Sequence, residues 1–67
     1  MITKKEIEMK IITLEIKYKF TRKQAEIVVE NEFKKCIEIF SQLGVYPTML
    51  SYYTDCLEKL KTITNEK

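Results

Sequence analysis

The sequence predicts an all-α domain of three helices: a helical hairpin preceded by a two-faced first helix, assembled as a homodimer. Three observations predict it. Gly and Pro occur once each in 67 residues, as Gly44 and Pro47, and an all-β fold needs more turns than these can supply. Apolar residues recur at helical spacing through two long segments, 25–43 and 49–63. The first twenty residues carry apolar side chains on two opposite faces, and one small core covers only one of them. The expected helices span 4–19, 22–43 and 48–63, with a frayed polar tail at 64–67, all in a single domain.

The first segment opens with a capping box, Thr3-x-x-Glu6. Ile7, Ile11, Leu14 and Tyr18 then form one stripe at helical spacing. Met9, Ile12, Ile16 and Phe20 form a second stripe on the other side and are the expected dimer face. The pairs Glu6–Lys10 and Glu15–Lys19 are oriented to support a helix. A second pattern runs through the same residues. Ile12, Leu14, Ile16, Tyr18 and Phe20 alternate with Thr13, Glu15, Lys17 and Lys19, as in a half-buried strand. A lone strand with no partner in its own chain is unstable, so it would have to pair across a dimer. The alternative fold is therefore a β-α-α dimer, and residues 6–20 decide between the two. Both readings require self-association.

The second segment is the longest unit. Thr21 and Gln24 make a capping box, and Ala25, Val29, Phe33, Cys36, Phe40 and Leu43 fall on one helical face. Gly44 stands where a helix end favours positive φ, with Val45 placed to fold back on Phe40. Residues 44–48 form a short turn. Pro47 suits the first turn of a helix, capped by Tyr46 or Thr48. Met49, Tyr53, Cys56, Leu60 and Ile63 continue at spacings of four and three, widened by Leu50 and Leu57. The short connection makes the second and third helices antiparallel neighbours.

Two resemblances bear on function. Ile2-Thr3-Lys4-Lys5-Glu6-Ile7, Phe20-Thr21-Arg22-Lys23-Gln24-Ala25-Glu26, Val28-Val29-Glu30 and Phe33 resemble the opening helical hairpin of the HU/IHF family of DNA-architectural proteins. The likeness covers residues 2 to about 40. Lys19 replaces that family's Gly, the first helix is about one turn longer, and nothing after Gly44 is similar to its β-saddle or DNA-embracing arms. The resemblance thus implies a dimeric helical base without DNA bending. In the strand alternative, the chain would resemble ribbon-helix-helix repressors, with Thr13, Glu15, Lys17 and Lys19 facing the major groove.

Composition narrows the chemistry. With 33% charged and 45% hydrophobic residues, the chain belongs with ordered proteins. There is no His, and Cys36 and Cys56 lack the paired spacing of a zinc site, so no metal or other cofactor is expected. No Gly-rich phosphate loop, nucleophile elbow or acidic metal set is present, and an enzyme is not expected. Cys36 and Cys56 lie at similar distances either side of the turn, on inward stripes. They are read as paired buried thiols or as a disulfide.

Charge is uneven. Residues 1–24 carry seven Lys/Arg against three Glu, or +4, and residues 25–67 carry −2. Lys17, Lys19, Arg22 and Lys23 cluster near the first turn and are candidate nucleic-acid contacts. The pI near 8.5 lies below the range usual for such binders. Tyr46 and Tyr52, near the hairpin tip, are candidate partner contacts. With no apolar leader or membrane span, a cytoplasmic location is expected. The expected function is that of a small non-enzymatic regulator acting through helix-mediated protein contacts, of the kind found in phages, viruses or mobile elements. A small dimeric nucleic-acid-binding protein is the alternative.

Overall fold

The computed structural model of the chain describes residues 2–44 and 46–65. They form three helices: α1 (Lys4–Tyr18), α2 (Arg22–Leu43) and α3 (Pro47–Asn65). No strand occurs among the described residues. The β-α-α alternative is thereby corrected: residues 4–18 are helical, and Thr13, Glu15, Lys17 and Lys19 line no sheet. Local chemistry accounts for this. The Thr3 hydroxyl accepts the Glu6 N–H at 3.2 Å, satisfying an orphan donor at the helix start. Ile2 and Ile7, at the positions either side of this cap that form a hydrophobic staple, are both buried. A strand would leave those apolar side chains without cover.

α1 ends at Lys19, which adopts the left-handed conformation with φ 60°. This is the position where the HU/IHF pattern has Gly. α2 begins with the full capping box: the Thr21 hydroxyl accepts the Gln24 N–H at 3.2 Å, and the Gln24 side chain accepts the Thr21 N–H at 3.0 Å. Gly44 ends α2 at φ 68°, donating its N–H to the Phe40 carbonyl at 3.1 Å. The expected return of Val45 onto Phe40 lies outside the described residues. α3 starts at Pro47, one residue before the expected position, where the missing N–H leaves no bond unmade. The Tyr46 carbonyl accepts from Met49 and Leu50. α3 continues to Asn65, taking in part of the expected tail; Glu66 and Lys67 lie outside the described residues.

At 1.5 Å per residue α2 is about 33 Å long, and it sets the longest dimension of the molecule, 36 Å. α2 and α3 share the largest helix interface, and α1 packs against both. The core joins Ile7 and Ile11 of α1 to Ala25, Val29 and Phe33 of α2 and to Cys56, Leu60 and Ile63 of α3. These positions share one end of the hairpin. None of the described residues from 34 to 55 is buried. α1 is a ridge over one end of the hairpin, and the end carrying the turn has two helices only.

Candidate interaction surface

The ridge has an outer face. Met9 and Ile16 are exposed, and Ile12 between them is half-buried. Phe20, the fourth member of the expected dimer face, points elsewhere. It follows the helix end, packs against the core, and stacks on Tyr18 at 5.7 Å. It precedes the Thr21 cap, where an apolar residue turns inward toward the start of the next helix. The outer stripe is therefore Met9, Ile12 and Ile16.

A second apolar surface lies at the turn end of the hairpin. Ile39 and Leu43 of α2 are exposed, as is Tyr46. One α2 edge faces α1: Val28, Val29 and Glu32 line a groove with Lys10, Leu14 and Lys17. Ile39 follows Val28 by eleven residues, three helical turns, so it continues that edge past the ridge. Leu43 lies one turn further. The surface rests on linked aromatic rings. Tyr46 meets Phe40 edge-on at 5.8 Å, Phe40 stacks on Tyr53 at 5.9 Å, and Tyr53 meets Tyr52 edge-on at 5.1 Å. Of the two tyrosines expected as partner contacts, Tyr46 is exposed and Tyr52 is half-buried against the core.

Sequence reasoning missed Ile39 and placed Leu43 on the inward face. The signal was helix length. An α2 of 22 residues outreaches an α1 of 15 by about two turns, so the last residues of its stripe have nothing to lie under.

The basic cluster has a different character in three dimensions. Arg22 forks onto Glu8, with guanidinium nitrogens 2.5 and 2.6 Å from the two carboxylate oxygens. It also reaches Glu26 at 3.1 Å and Glu15 at 3.5 Å. The Glu8 hydrogen bond is the main cause holding Arg22 further toward its charged form, against a desolvation that opposes it. Arg22 thus ties α1 to α2. Lys17 sits 5.4 Å from the Tyr18 ring centre, a weak cation–π contact at an exposed site. Lys19 and Lys23 are exposed. Of the four basic residues, the three lysines are exposed and the arginine meets three carboxylates.

Both cysteines are free thiols, Cys56 buried and Cys36 half-buried. Each lies by a tyrosine, Cys36 by Tyr53 and Cys56 by Tyr52. Burial pushes the Cys56 thiol up, partly offset by the Tyr52 hydroxyl. A protonated, enclosed thiol is a poor nucleophile. Burial likewise raises the Tyr52 and Tyr53 hydroxyls.

Among the described residues, no group of three or more Cys, Asp or Glu could hold a metal ion. No helix described is long and apolar enough to cross a membrane. No protein-family model, curated protein or solved structure matches the chain. The likeness to the HU/IHF hairpin therefore rests on the quoted residues alone.

Proposed function

We propose that this chain is a small non-enzymatic interaction protein that works through helix-to-helix contacts and forms a homodimer through the outer face of α1. The observation that carries this reading is the exposure of Met9 and Ile16 on the ridge, either side of half-buried Ile12, although Ile7, Ile11 and Leu14 on the opposite side of the same helix pack into the core. Large apolar side chains at helical spacing gain free energy when covered, about 25 cal/mol per Å² of apolar surface. A core this small leaves little stability in reserve.

The reading is supported over nucleic-acid binding by Arg22. The most directional cation of the basic cluster is already forked onto Glu8 and flanked by Glu15 and Glu26. Phosphate would have to displace them.

Thermal melting at rising protein concentration tests the proposal. A dimer that contributes to stability melts at higher temperature as concentration rises, by mass action. Ile16→Glu should abolish that dependence while the helices still form. A melting temperature independent of concentration in the unaltered chain would remove the dimer. Strong retention on DNA, lost with added salt, would favour the alternative function.

A further inference from the structure

We infer that the surface receiving the α1 ridge is the open end of the hairpin in a second copy of this chain, so that each copy seats its α1 on the other's Ile39, Leu43 and Tyr46. The inference rests on the proposed dimer and names its counter-surface.

The ridge and the open hairpin end form a step. α1 stands over the half of the hairpin holding the core, and the edge of α2 that faces α1 continues into the uncovered half as Ile39 and Leu43. A step of this kind is self-complementary under two-fold rotation. The ridge of one copy fills the empty half of the other, and the contact is made twice. The occupant has the right chemistry, because the core end of the hairpin already takes Ile7 and Ile11 of α1 beside Val29 and Phe33. In the assembly, both stripes of α1 would be used: Ile7 and Ile11 within the chain, Met9 and Ile16 across it.

Met9 is 54% exposed, Ile16 67%, Ile39 43%, Leu43 54% and Tyr46 50%. With side chains near 200 Å² each, the five present roughly 500 Å² of largely apolar surface. A standard interface takes about 800 Å² from each partner, a little over half of it apolar, or roughly 450 Å². The α1 pair alone supplies about half of that, and the hairpin trio about two-thirds. An α1-to-α1 contact would leave the hairpin end open, whereas a dimer that uses both surfaces covers Ile39, Leu43 and Tyr46 as well as Met9 and Ile16.

Subunit mixing tests the inference. Mass by light scattering is measured for the unaltered chain, for Ile16→Glu, for Leu43→Glu and for an equimolar mixture of the two variants, with circular dichroism confirming helix content. Both altered positions are exposed, so each variant is expected to fold. Each variant alone has both copies of the contact spoiled and should run as a monomer. The mixture keeps one intact contact, from the unaltered α1 of the Leu43→Glu chain to the unaltered hairpin of the Ile16→Glu chain. It should therefore form dimers at concentrations where neither variant does. Leu43→Glu dimerising as tightly as the unaltered chain would overturn this pairing and leave the α1-mediated dimer standing. A monomeric unaltered chain would overturn both.

Discussion

Lys19 is the clearest case of a residue that works against its own position. Its φ of 60° is in the left-handed region, where a side chain with Cβ is disfavoured by about 1–2 kcal/mol. Glycine removes that strain but gives the unfolded chain more freedom. Lys19→Gly should stabilise the fold by about 0.5–1 kcal/mol, read as a shift in the urea midpoint with unchanged slope. Arg22 is the opposite case, since a planar fork suits the Glu8 carboxylate and an ammonium cannot reproduce it. The site is partly exposed, so the contribution is modest. Arg22→Lys should cost about 1 kcal/mol, measured in the same way.

Cys56, Tyr52 and Tyr53 make a prediction about alkali. All three have ionisations raised above their ordinary values of 9.0 for the thiol and 10.0 for the tyrosines. The folded state favours their neutral forms, so their contribution is whole below about pH 9 and falls as pH rises through the unfolded values. Stability against urea should be flat from neutral pH to about pH 8.5 and then decline. In the folded protein a thiol reagent should modify Cys36 readily and Cys56 only at the rate of opening.

Among the elements, α2 organises the rest, and Phe33 is the largest fully buried side chain of the core that joins all three helices. It is buried, packs in the core with Ile7 and Leu60, and lies 6.2 Å from the Tyr53 ring. Phe→Ala changes in a core cost about 3–5 kcal/mol, as much as a domain this small has to lose. Phe33→Ala should therefore abolish the cooperative melt seen by circular dichroism. α2 was also the most legible element. Its capping box, its stripe and Gly44 all lie in local sequence, and its observed bounds, Arg22–Leu43, are those expected. α1 was ambiguous because Ile11 and Ile12 are adjacent: residues 12–20 alternate like a strand, while 7, 11, 14 and 18 recur like a helix. Only packing against the hairpin resolves the two. The fate of Phe20 was hidden for a related reason. It shares a helical face with Met9 and Ile16 in sequence, but α1 stops at Tyr18 and the link turns Phe20 inward.

For the whole molecule, the decisive feature is unequal length. α1 is too short to roof α2 and α3, so one end of the hairpin holds every buried residue of those two helices and the other none. This could be read from residue counts, but only once α1 was known to be a helix. The candidate site was legible in part. Met9, Ile12 and Ile16 followed from periodicity, and Tyr46 from its place at the turn. Ile39 and Leu43 depend on where α1 lies. Arg22 looked more available in sequence than it is, because Glu8 and Glu15 reach it only when α1 folds back on α2.

In the proposed function the chain acts by covering its helix faces, first with a second copy of itself. Sedimentation equilibrium of the unaltered chain over a dilution series tests it most directly. The proposed dimer has a mass of twice 8.0 kDa that falls toward the monomer only on dilution. A well-folded species of single mass 8.0 kDa at every concentration would contradict it.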